Sequence, residues 1–186
     1  TNQLKLLDAK ITKADYGSLV NLGSVNFKND IVFTWNGTTS GVCVPNGNWI
    51  DDNREGLTIC DATSAAFSMS LPWDKLDATS FSWQKVLGGE AQHGVIVLSP
   101  RTINRLENYI PARAIPKIFQ IAENGKVNKK LFAGSTINTP SMLCFEDALD
   151  SLKWVKSIGG LKQTIKLSNT NLKAVESRIT NSSWLE

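Results

Sequence analysis

NDIVFTWN, residues 29–36, sets Ile31, Val32, Phe33 and Trp35 between polar ends, the pattern of a short buried strand. The loop NGTTSGV (36–42) follows it directly. The same arrangement recurs downstream. Leu57–Cys60 ends at Asp61, and the run Ala78–Trp83 ends at Gln84 and Lys85, so each apolar run delivers polar chemistry at the end of a strand. A fourth candidate strand, Gly94–Leu98, leads through Ser99-Pro100 into a helix over RTINRLENY, with proline in the first turn, where its missing N–H costs nothing. Strands interleaved with helices predict an α/β fold on a mostly parallel sheet with flanking helices.

Beyond this the pattern weakens. From Pro111 to Thr139, prolines and the NGK at 124–126 suggest a long excursion across a surface. Ser141–Ser157 then places Leu143, Ala148, Leu149, Leu152 and Val155 at helical spacings. Gly159-Gly160 stops that helix, and a second begins at Leu161 and runs to about Ile179. The opening TNQLKLLDAKITKADYG (1–17) has no capping signal and no initiator Met, and reads as though the chain were entered partway through a domain.

At 186 residues and 41% apolar content, the chain is long enough for a packed core. Its net charge of +3 is spread over isolated Lys and Arg with acids between them, unlike the dense basic runs of nucleic-acid or membrane patches, so neither partner is expected. No stretch has the length of a membrane span or the layout of a signal peptide. Cys43, Cys60 and Cys144 are odd in number and lack C-x-x-C spacing, which fits a reducing cytoplasm. Cys60, although next to Asp61, reads as a small core residue, and no metal site is expected.

In open parallel sheets ligands bind outside the carboxyl ends of strands, so Asn36–Thr39, Asp61 and Gln84-Lys85 are candidates to share one pocket. A lysine that attacks an aldehyde works best near apolar neighbours, and Lys85 has Trp83, Val86 and Leu87. Pyridoxal 5'-phosphate needs a lysine amine, a carboxylate beside its pyridine nitrogen, and donors for its phosphate. All three are available here. Spacing alone leaves open the plainer reading of a capping Asp and a surface Lys.

The strings FTWNGTTSGVCVPNG (33–47), TICDATSAAF (58–67), FSWQKVLGGE (81–90) and TINTPSMLC (136–144), in this order, carry more weight. They resemble the phosphoserine aminotransferases, closest to the branch found in alphaproteobacteria and methanogenic archaea, from about residue 5 to the end. The resemblance implies the central part of the large domain of a pyridoxal-phosphate-dependent, fold-type I transferase, working as a homodimer with its active site at the interface. It matches Lys85 to the Schiff-base lysine and Asp61 to the partner of the pyridine nitrogen. Thr38 matches a threonine at the cofactor's phenolic oxygen, and Gln84 a phosphate contact. Asn138 and Thr139 match a pair that reaches the partner subunit's cofactor phosphate. Thr63 and Ser64 fall where the family often carries hydroxyls. His93, the sole histidine, is a candidate ligand of the substrate phosphate or proton carrier, against the alternative of a structural ring satisfied by a backbone carbonyl. Trp35, Trp49, Trp73 and Trp83 are read as core rather than cofactor-stacking rings.

The reaction implied is transfer of the amino group of L-glutamate to 3-phosphohydroxypyruvate, in the cytoplasm. The expected organisation is a partial cofactor-binding domain over 1–158 and, over 159–186, a helix leading toward a C-terminal small domain that is missing. A complete enzyme of this class is roughly twice as long, since single cores stop growing near 250–300 residues. Two alternatives stand beside this reading: another fold-type I enzyme, such as an alanine–glyoxylate aminotransferase or a cysteine desulfurase, and a non-catalytic fragment. INTPSM and the Gln84-Lys85 pair argue against the first.

Overall fold

A computed structural model describes residues 9–185; the start of the opening stretch, residues 1–8, lies outside them, as does Glu186. The four expected strands form one sheet in the order β1 (Ile31–Thr34), β2 (Thr58–Asp61), β3 (Ala78–Ser82) and β4 (Gly94–Leu98). β1, β2 and β3 run parallel, and β4 closes one edge antiparallel to β3. The sheet is therefore mostly parallel, as expected.

The expected helices between strands are not there. No α-helix separates β1 from β4; the connections are an irregular loop over 35–57, turns over 62–77, and a tight passage from β3 to β4. Proline, glycine and asparagine in VPNGNW and LPWD interrupt any helical register in the first two. These loops do the covering work of crossover helices with apolar side chains. Trp35, Val44, Ile50, Ala62, Ala65, Leu71 and Leu76 cluster with Cys60 as a core against one sheet face, with Phe27, Phe33, Trp49 and Met69 around it. In register across that face lie Phe33, Cys60, Thr79 and Val97. On the opposite face Val32 and Ile96 are exposed.

Below the sheet, Asp77 ties three segments together. Its carboxylate is 1% exposed and accepts from Arg54 Nε at 3.1 Å, Arg101 Nη1 at 3.2 Å, Thr58 N at 3.0 Å and Ser99 Oγ at 2.9 Å. Burial alone would push this carboxyl up, but the Thr58 amide, the Arg54 guanidinium and the Ser99 hydroxyl outweigh it and hold it below its ordinary value. Ser99 also caps α1 (Pro100–Asn108) by accepting from Thr102 N.

The stretch expected as a bare surface loop is partly structured. Ala122–Glu123 (β5) and Lys126–Val127 (β6) make a hairpin whose turn residues Asn124 and Gly125 have φ of 51° and 70°, and a short helix α2 (Lys129–Phe132) follows. Asn-Gly is the preferred pair for such a turn, so NGK carried the signal. The two C-terminal helices form as expected: α3 (Met142–Ser157) and α4 (Leu161–Thr180), separated by Gly159 and Gly160 at φ of 110° and 75°. The buried stripe of α3 agrees with the expected one at Ala148 and Val155 and differs elsewhere. Cys144, Ala148 and Val155 face inward, while Leu143, Leu149 and Leu152 are exposed.

Candidate active site

Parallel pairing fixes where the polar strand ends lie. The register sets Thr34 beside Asp61 and Asp61 beside Ser80, so the loops after β1, β2 and β3 leave the sheet at one edge. Asn36–Thr39, Asp61–Ser64 and Gln84-Lys85 are carried there by those loops.

Asp61 is exposed at the last position of β2. Its Oδ1 accepts from Thr63 N at 2.9 Å and from Thr63 Oγ1 at 2.6 Å, an Asx turn that fixes the plane of the carboxylate. The second oxygen, Oδ2, accepts nothing among the described residues. One oxygen held and the other open is the arrangement a carboxylate needs to receive a ring N–H, so Asp61 fits the role. Its neighbour Cys60 is 1% exposed, and burial, then the Asp61 charge, push the thiol up to about 12; it is an inert core residue.

Ser64 and Asn36 join the first two loops. Asn36 Nδ2 donates to Ser64 Oγ at 3.2 Å, and Ser64 Oγ lies 3.4 Å from the Asn36 carbonyl. Asn36 also bridges Cys43, and Gly37 N donates to Val42 O at 2.7 Å, closing the NGTTSG loop on itself. Thr38 stands exposed at the tip of that loop. Sequence reasoning placed Asn36 at the strand end but gave it no task; its bridge depends on a hydroxyl 28 residues away, a separation no local pattern reveals.

Lys85 is exposed in the turn that follows β3, and Gln84 is half-buried beside it, with Ser82 Oγ 3.4 Å from Gln84 Oε1. Trp83 and His93 lean on each other at a centroid distance of 5.4 Å, and both rest against Phe145 of α3, at 5.8 and 5.0 Å. The backbone carbonyl expected to satisfy the histidine is not found: among the described residues, His93 Nε2 and Trp83 Nε1 are buried without a partner. Trp35 and Trp49 sit in or against the core, as expected, but Trp73 is 44% exposed.

Asn138 and Thr139 are exposed in the loop before α3, and among the described residues no hydrogen bond ties their side chains to the strand-end group. Two cavities are also elsewhere: a groove of about 580 Å³ along α4 and one of about 100 Å³ between α1 and the hairpin. At the strand ends Thr38, Asp61 and Lys85 are all exposed.

No family model matches the chain. Curated phosphoserine aminotransferases from Methanosarcina mazei and Methanosarcina barkeri are each 59% identical to it over 185 residues, all of this chain and 50% of theirs. A phosphoserine aminotransferase structure from Cytophaga hutchinsonii superposes with a TM-score of 0.80 at 23% identity, over 98% of this chain and 52% of that one. The Bacillus circulans enzyme gives 0.67 at 18% identity over 90% and 43%, and an alanine–glyoxylate aminotransferase from Nostoc gives 0.64 at 14% identity over 83% and 42%. The structural matches establish the fold, a mixed α/β arrangement on a mostly parallel sheet that is shared with these aminotransferase structures. By sequence the chain is thus similar to phosphoserine aminotransferases, spanning about half the length of the curated relatives it matches.

Proposed function

We propose that this chain is the cofactor-binding part of an aminotransferase that moves the amino group of L-glutamate to 3-phosphohydroxypyruvate, forming L-phosphoserine for serine biosynthesis. The observation that carries the proposal is Asp61, with one oxygen pinned by Thr63 and one open, on the same sheet edge as Lys85, in a chain so similar to phosphoserine aminotransferases.

Pyridoxal phosphate, when bound, supplies an aldehyde that accepts the amino group and a ring that withdraws electrons from the substrate's α-carbon. Asp61 holds a proton at the ring nitrogen. Lys85 Nζ would anchor the cofactor and would serve as general base and acid for the substrate's α-proton. Thr38, on its exposed loop tip, would donate to the phenolic oxygen, and Gln84 and the hydroxyls of Thr63 and Ser64 would offer polar contacts at the same edge. Asn138 and Thr139, exposed in the loop before α3, would serve the partner subunit's phosphate in a cytoplasmic homodimer. Residues 1–158 are part of the cofactor-binding domain, and 159–186 lead toward a small domain.

The test is spectroscopic. Protein loaded with pyridoxal phosphate should lose its visible band when L-glutamate is added and recover it with 3-phosphohydroxypyruvate; indifference to both substrates would overturn the proposal. A second reading, in which this stretch holds the cofactor but does not turn over alone, is favoured by the exposure of Thr38, Asp61 and Lys85 in a chain spanning about half the length of its relatives. It predicts a band that glutamate leaves unchanged.

A further inference from the structure

We propose that His93 is a positioning residue for Lys85, wedged so that α3 holds the lysine-bearing turn from both sides. The inference rests on the reading of Lys85 as the cofactor lysine.

A lysine that must bring its amine within bonding distance of one carbon needs its backbone fixed, because an error of about 1 Å at the reacting atoms costs on the order of a hundredfold in rate. Lys85 is exposed, and its own side chain has no hydrogen bond among the described residues. The turn around it is nevertheless tightly closed. Gly88 N donates to Lys85 O at 3.0 Å, and Gly89 N donates to Trp83 O at 2.9 Å. Two contacts then fasten this turn to α3. Two residues after the lysine, the carbonyl of buried Leu87 accepts from Ser151 Oγ at 2.7 Å. Two residues before it, Trp83 stands edge-on to Phe145 with ring centroids 5.8 Å apart.

His93 completes the second contact. Its ring is tilted against both Trp83 and Phe145, at 5.4 and 5.0 Å, so the three rings form a closed triangle linking the turn, the start of β4 and α3. The indole has little room to move, since a Cβ added at Gly89 would come within 2.6 Å of Trp83 Cδ1. With Nε2 buried and unpartnered among the described residues, the imidazole acts here through its ring faces and its shape rather than as a hydrogen-bonding group. A phenyl ring should replace it and a methyl group should not.

The test compares His93→Ala, His93→Phe and Ser151→Ala in the 186-residue chain, first without cofactor. Amide hydrogen exchange at Gly88 and Gly89 should accelerate about tenfold in His93→Ala, the loss expected from two aromatic contacts, and comparably in Ser151→Ala. Exchange in β1 and β2 should be unchanged, and His93→Phe should restore wild-type rates. With pyridoxal phosphate added, the induced circular dichroism of the visible band, which reports the orientation of the ring on the lysine, should weaken in His93→Ala and recover in His93→Phe. Wild-type exchange rates in His93→Ala, or His93→Phe behaving like His93→Ala, would overturn the inference; the latter would assign the work to the imidazole nitrogens. Should His93→Ala not fold, Ser151→Ala decides, with unchanged exchange at Gly88 counting against the clamp. A wild-type chain that takes no label on Lys85 would instead defeat the cofactor reading, while the cofactor-free exchange data would still decide whether the clamp exists.

Discussion

Replacing Asp77 with alanine removes the acceptor on which Arg54 depends. The Arg54 side chain is 5% exposed and donates Nε to Asp77 Oδ2 at 3.1 Å, so the variant leaves a guanidinium charge in the interior with only the Asp51 carbonyl, at 3.3 Å from Nη1, to receive it. Breaking a buried pair from one side costs about 3–5 kcal/mol. The Thr58 amide and the Ser99 hydroxyl lose the same acceptor, which places the effect toward the upper end. With a urea dependence of about 2 kcal/mol per molar, the unfolding midpoint should fall by about 2 M. Tryptophan fluorescence is a suitable probe, since Trp35 is 2% exposed in the core. The pH dependence gives an independent reading. Because the folded carboxyl lies below its unfolded value of about 3.9, its stabilisation is complete above that value and is lost as pH falls through the folded pKa. The wild type should therefore lose stability below about pH 4, with a slope that Asp77→Ala lacks. A midpoint shift under about 0.5 M, or an unchanged acid limb, would refute the assignment of Asp77 as the central tie of this region.

Gly56→Ala should destabilise strongly in the same urea assay, because its Cβ would collide with the backbone carbonyl of Asn29 beside β1; a neutral result would mean that this junction is looser than described. Ser99→Ala removes both the cap of α1 and a bond to Asp77, and should cost about 1–2 kcal/mol, seen as a lowered urea midpoint. Cys60 should stay unmodified by a thiol reagent at pH 8 until the protein unfolds, since its thiol is pushed up to about 12; mass-mapped native labelling at Cys60 would contradict its placement.

The strands were legible because each apolar run ends at residues that cannot stay buried: Asn36 after β1, Asp61 at the end of β2, Gln84 after β3. The expectation of helices between them failed because it borrowed from the usual crossover, whereas here Trp35, Ile50 and Leu71 cover the sheet from irregular loops. Apolar content does not say whether the covering segment is helical. On α3 the expected stripe holds in part: Ala148 and Val155 pack inward together with Cys144, while Leu143, Leu149 and Leu152 are exposed. At the strand ends, parallel pairing sets Asp61 beside Ser80, and Lys85 follows in the turn after that strand. The Asn36–Ser64 bridge and the Trp83–His93–Phe145 triangle join residues far apart in the chain, and depend on tertiary geometry that no window of sequence contains.

The most direct test of the cofactor assignment is to add pyridoxal phosphate to the protein, reduce with borohydride and map the labelled peptide. The assignment predicts a stable visible band before reduction and a single major label on Lys85, lost in Lys85→Ala and weakened in Asp61→Asn. Labels scattered over the exposed lysines, with none favoured at Lys85, would contradict it.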